Sequence, residues 1–227
     1  MERKILFLVL PMFLISLLGC EPGPMQKKTM EDYSDISAAP PGAYPEGEGG
    51  VVKKTDFNIF PVYTDRGFFD NHYIPSGYMG DYGDINVNEN WRDNPHSGQT
   101  CIKTVYTARG SQGAGWAGVY WQNPANNWGT IKGGFDLTGA SKLTFWARGE
   151  KGGELISEFK IGGITGEYAD SDAVMIGPIT LTKSWKKYTI DLKGTDLSYI
   201  SGGFCWAASS ANNPEGLTFY LDDVKYE

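Results

Sequence analysis

Residues 116–128 gather Trp116, Tyr120, Trp121 and Trp128 among Gln122, Asn123, Asn126 and Asn127, with no charged residue in the stretch. Aromatic rings offer apolar faces to the C–H side of a pyranose, and side-chain amides offer paired donors and acceptors to its hydroxyls. Covering about 100 Å² of sugar with one ring gains about 2.5 kcal/mol, short of the roughly 4.1 kcal/mol of a millimolar complex. A site therefore needs two platforms and several hydrogen bonds. Strand alternation puts Trp116 and Tyr120 on one face and Val119 and Trp121 on the other, with Asn126, Asn127 and Trp128 in the following loop. The same rings also suit a core, and the Asn pairs also suit turns.

A second set, Trp146, Arg148, Glu158, Lys160 and Trp206, mixes rings with charged groups, and alternation puts the first four off the core rows. An ordinary solvated face with an Arg–Glu pair has the same composition. The expected ligand-binding residues are Trp116, Tyr120, Gln122, Asn127, Trp128, Trp146 and Arg148. Hard oxygen donors suggest a structural Ca²⁺ joining Asp81 and Asp84, in a Gly-rich segment, to Asp222 or Asp223 near the C-terminus. Neighbouring strand side chains diverge, so one of the last two would face a given ion. Asp84-x-Asn86-x-Asn88 begins like an EF-hand loop, but Glu89 and Pro95 occupy its sixth and twelfth positions. Acidic turns without metal are the alternative.

Catalytic patterns are thin. There are 2 histidines, and neither HExxH nor GxSxG occurs. Glu154 and Glu158, on one face of a continuous strand, would stand about 13 Å apart, beyond the roughly 5–9.5 Å of glycosidase carboxylates. Binding is expected rather than catalysis, and a glycan-active enzyme stays a weak alternative.

The elements that must position these residues are strands. Short alternating runs bounded by Gly, Pro, Asn and Asp predict strands over 58–63, 100–107, 117–122, 142–148, 155–161, 176–182, 186–192, 203–208 and 217–226, with one helical turn at 195–200. The fold class is all-β, a two-sheet antiparallel β-sandwich of jelly-roll type. Asp136-Leu137-Thr138-Gly139-Ala140, then Leu143-Thr144-Phe145-Trp146-Ala147-Arg148-Gly149, and the terminal Phe219-Tyr220-Leu221-Asp222-Asp223-Val224 resemble landmarks of carbohydrate-binding-module and galactose-binding-like jelly rolls. The resemblance spans roughly residues 56–227. It implies non-catalytic glycan binding and, often, a structural calcium.

Three parts follow one another along the chain. Residues 1–19 read as a signal peptide, with Arg3 and Lys4 before an apolar run too short to span a bilayer. Leu17-Leu18-Gly19-Cys20 resembles a bacterial lipobox, which implies cleavage before Cys20 and diacylglycerol on its thiol. Residues 20–54, rich in Pro, Gly and acids, read as a flexible linker with a reach of roughly 30 Å, and 55–227 as the β-sandwich. The net charge of −7, without a Lys/Arg cluster, excludes a nucleic-acid partner. Cys101 and Cys205 can be read as buried thiols or as a disulfide. The expectation is a lipoprotein of the bacterial cell envelope, lipid-anchored at the outer membrane or cell surface, that binds a glycan or polysaccharide. A structural or assembly lipoprotein docking a protein partner is the alternative.

Overall fold

The computed structural model describes residues 57–227. The signal peptide, Cys20 and the linker lie outside the described residues. The strands run β1 (Phe60–Tyr63), β2 (Ile74–Gly80), β3 (Ile85–Trp91), β4 (Cys101–Tyr106), β5 (Trp116–Gln122), β6 (Lys142–Gly149), β7 (Leu155–Ile156), β8 (Glu158–Gly162), β9 (Ala173–Ile176), β10 (Ile179–Thr180), β11 (Lys186–Asp191), β12 (Gly202–Ser209) and β13 (Leu217–Tyr226). A 6-stranded sheet has the order β11-β6-β13-β4-β3, with β1 pairing the end of β13. A 5-stranded sheet has the order β2-β5-β12-β8-β9, and β10 pairs with β7. All pairings are antiparallel. The two-sheet jelly-roll expectation holds. Among the described residues no helix is long and apolar enough to cross a membrane.

Alternation builds the core. Leu143, Phe145 and Ala147 of β6 and Phe219 and Leu221 of β13 face Val119 and Trp121 of β5, Phe159 and Ile161 of β8 and Phe204 and Trp206 of β12. The rings interlock: Phe145 lies 4.7 Å from Phe159 and 5.2 Å from Phe204, and Trp206 meets Phe219 edge-on at 5.1 Å between centroids. Trp206 is thus core rather than part of a ligand face. Trp121 is core, as alternation required.

Several boundaries differ from the sequence reading. β2 and β3 escaped it because Pro75, Gly77 and three asparagines resemble loop chemistry. Yet β3 has Ile85, Val87, Glu89 and Trp91 half-buried and the residues between them exposed. The run 155–161 breaks at Ser157, whose N–H donates to the Ala207 carbonyl (2.8 Å). The break shifts the phase, so Ile156 is buried along with Phe159, and Glu154 and Glu158 do not share a continuous strand face. The predicted helical turn at 195–200 is absent, and a 3-10 turn forms instead at Tyr82–Asp84. Cys101 and Cys205 are free and buried. They sit on the outward sides of different sheets, and packed sheets stand about 10 Å apart, too far for a disulfide. Burial pushes the Cys101 thiol up to about 12 and raises the Cys205 thiol too.

Candidate functional site

The outward side of the five-stranded sheet carries Trp116, Gly118, Tyr120 and Gln122 from β5. Register then fixes their neighbours. Met79 pairs with Gly118 from one side and Ala207 from the other, and Glu158 lies beyond Ala207. In the next row Tyr120 is followed by Cys205, Lys160 and Met175. Gly118 and Ala207 make a low floor between Met79 and Glu158, while in the next row Cys205 is fully buried in a cluster with Tyr120 and Ile164. A Cβ at Gly118 would press on the Trp206 carbonyl (2.6 Å) and the Met79 methyl (3.1 Å), so the depression there depends on glycine.

Two indoles flank this trough. Trp116, at the start of β5, is 41% exposed, and Trp128, in the loop beyond β5, is 42% exposed. Trp116 is held through its carbonyl, which accepts the Asp81 N–H (2.8 Å). Trp128 stands edge-on to Tyr120 at 6.0 Å. Next to it Gly129, at φ +79, lies against Thr165, and its carbonyl accepts the Tyr168 N–H (2.9 Å). Asp170 anchors that second loop by accepting the Ile164 N–H (3.0 Å) and the Ser201 hydroxyl (2.6 Å). Trp116 and Tyr120 are four residues apart, about 13 Å along the strand. That length suits a short run of sugars rather than a single ring.

Three expected ligand contacts turn out to be supports. Tyr120 is buried and donates to the Gly162 carbonyl (3.0 Å). Gln122 is fully buried: its Nε2 donates to the Asn127 carbonyl (2.7 Å) and its Oε1 accepts the Ser76 hydroxyl (3.0 Å). The Asn127 side chain accepts the Gly129 and Ile131 N–H groups and donates to the Asn123 carbonyl. These amides have spent their hydrogen bonds shaping the loop that presents Trp128.

The polar groups in the trough are instead Lys160 and Glu158, paired at 3.3 Å and both partly exposed. The Lys160 ammonium lies 5.1 Å from the Tyr120 ring centre. Burial works against its charge, but Tyr120, Cys205 and Glu158 outweigh burial and raise its pKa, while burial pushes the Tyr120 phenol up to about 12. At neutral pH the trough therefore presents a fixed ammonium and a neutral phenol beside Glu158. The alternation of β8 put both charges off the core, but only strand pairing shows that they share a face with Trp116. Met79, Met175 (63% exposed) and the exposed Tyr82 also escaped the sequence reading.

Trp146 and Arg148 lie on the outward side of the other sheet, so they do not join the trough. There residues 92–99 fold back over the sheet. The His96 ring stacks on Trp146 at 3.7 Å and covers one face of it. Asp222 accepts the His96 and Ser97 N–H groups (2.8 and 3.2 Å), and Asp223 accepts the Ser97 hydroxyl (2.9 Å) and lies 3.0 Å from His96 Nδ1. A bulge after Asp222, with Asp223 at φ +49, lets both carboxylates meet one loop. That departs from the divergence expected of neighbouring strand residues.

The four carboxylates do not form one calcium cage. Asp81 accepts the N–H groups of Gln112, Ala114 and Gly115, and Asp84 those of Gly110 and Ser111. Asp84 also bonds Thr107 through its backbone, past one end of β4, whereas Asp222 follows Leu221, which pairs with Ile102 near the other. Five residue steps, about 17 Å, separate those ends. Among the described residues no group of three or more His, Cys, Asp or Glu is poised for a metal. Exhaustive EDTA treatment is expected to leave the melting temperature unchanged; a drop reversed by Ca²⁺ would put an ion in the fold.

Burial pushes the Asp222 carboxyl up to about 7 from an ordinary 3.8. A folded-state value above the unfolded one adds stability in acid, and that contribution fades as the pH rises from about 4 to about 7. The melting temperature of the natural chain minus that of Asp222→Asn should therefore fall between pH 5 and pH 8. A constant difference across that range would contradict the shift.

No protein-family model matches this chain, and no curated protein matches it. Solved structures do. Two crystal structures of a family 30 carbohydrate-binding module superpose with a TM-score of 0.51. One is 16% identical, covering 76% of this chain and 89% of the module; the other is 17% identical, covering 75% and 98%. The family 30 module of a cellulosomal cellulase of Clostridium thermocellum gives a TM-score of 0.50 at 16% identity, covering 75% and 97%. The class is thereby defined by fold: residues 57–227 form a jelly-roll sandwich like that of carbohydrate-binding modules.

Proposed function

We propose that the five-stranded face binds a glycan or polysaccharide without cleaving it, and that the chain is a lipoprotein anchored through Cys20 in the bacterial cell envelope. The observation that carries the binding reading is the pair of exposed indoles, Trp116 and Trp128, at the two ends of a trough floored by Gly118 and Ala207. Rings of this kind cover sugar faces, and Lys160 and Glu158 offer a donor and acceptors to hydroxyls. The fold likeness adds support.

The test is retention of the full chain on a panel of insoluble and immobilised polysaccharides, followed by calorimetry with oligosaccharides of the retained type. Absence of binding across the panel would reject the reading. A stoichiometric protein cross-link in intact cells, unaffected by competing sugar, would favour docking to a protein partner. Anchoring rests on the residues around Cys20 and is tested separately: Cys20→Ser should abolish lipid labelling and release the chain from membranes.

A further inference from the structure

We infer that the outer face of the six-stranded sheet carries a second binding site, for an acidic glycan whose carboxylate is held by Lys103 and Arg148. The chain is acidic, at −7, yet these two cations converge on one ring. The Arg148 guanidinium lies 3.7 Å from the centre of the Tyr220 ring, and the Lys103 ammonium 5.8 Å from it and 3.9 Å from that of Trp91. Arg148 is only 7% exposed. Buried charges ordinarily have a counter-charge, but neither Arg148 nor Lys103 forms an ion pair among the described residues. The donors Arg148 Nε and Trp91 Nε1 are both buried without a hydrogen-bond partner.

Aromatic surface frames the cations. Trp91 and Trp185, both partly exposed, lie 6.3 and 6.5 Å from Tyr220. The row continues into a cavity of about 510 Å³, because Thr218 and Val105, the next outward pair beyond Tyr220 and Lys103, line its wall. Arg109 and Lys151 line it together with Glu150, Glu154 and Glu215. Mixed signs suit sugar hydroxyls, and the two cations without an ion-pair contact sit at the Lys103 end. Glu150 takes the Tyr220 hydroxyl's hydrogen bond at 2.5 Å, and its charge interacts with Lys103, Arg148 and Lys183. A ligand carboxylate would share those cations with Glu150, which selects for a sugar acid only in competition with that side chain.

The full chain is tested on polygalacturonate, a neutral β-glucan and dextran sulfate. Polygalacturonate should bind, more weakly as salt rises. Lys103→Glu should weaken it roughly tenfold, Glu150→Gln should tighten it, and Trp116→Ala with Trp128→Ala should leave it unchanged. Failure to bind polygalacturonate overturns the inference, as does indifference to both charge variants or equal binding of dextran sulfate. A cooperative thermal transition shows that Lys103→Glu is folded. Neutral-glucan binding is read on the opposite face, so either reading can fail alone.

Discussion

Replacing both Trp116 and Trp128 by alanine should abolish measurable binding of neutral glycans by a domain that still folds. Each ring is a little over two-fifths exposed, so the remainder packs on the protein, truncation also lowers the melting temperature, and binding is read well below the transition. Each loses about 100 Å² of sugar contact, about 2.5 kcal/mol or roughly seventyfold in affinity. The two single variants should each weaken binding by something near that factor, with the losses approximately additive because the rings occupy opposite ends of the trough. Isothermal titration with the best oligosaccharide reads the effect. Neutral-glycan binding that survives the double variant would move that site elsewhere on the molecule.

Phe204→Ala should do the reverse. Phe204 is fully buried and packs against Trp121 at 5.6 Å, Phe145 at 5.2 Å and Phe159 at 5.8 Å, tying both sheets together. Truncating a buried phenylalanine costs about 3–5 kcal/mol. For a domain of this size that lowers the melting temperature by roughly 6–20 °C. Well below the transition, the surviving folded molecules should bind glycan normally, since the ring points away from the trough. Thermal denaturation and calorimetry on the same sample distinguish the two effects, and an unchanged melting temperature would mean that the core is not organised around this ring.

Much of the fold was legible because alternation has only one physical solution where one face of a strand is buried. The β6 rows Leu143, Phe145, Ala147 and Thr144, Trp146, Arg148 separate inward from outward as the period of two requires. What alternation cannot supply is which strands lie side by side. Trp146 and Arg148 looked like partners of Trp116, yet register puts them on the opposite surface of the sandwich. Lys160 and Glu158 were grouped with them for the same reason and belong with Trp116 instead. Gln122 and Asn127 show a second limit: an amide beside tryptophans has the same sequence signature whether it meets a hydroxyl or a neighbouring backbone. Asn-rich β3 shows a third, because short polar side chains on the exposed positions of an edge strand resemble a metal loop.

Strand β12 supplies the trough and the core at once: Ala207 floors the former, with Cys205 packed beside it under Tyr120 and Ile164, and Phe204, Trp206 and Ala208 fill the latter. A one-residue insertion or deletion inside it would exchange the two sets, driving Phe204 and Trp206 into the ligand path and leaving Cys205 and Ala207 to fill a space shaped for rings. The central strand is therefore closed to length change. Diversification of what this surface recognises has to run through the loops at 123–134 and 163–172, which can vary around Trp128 without resetting the register of the sheet beneath.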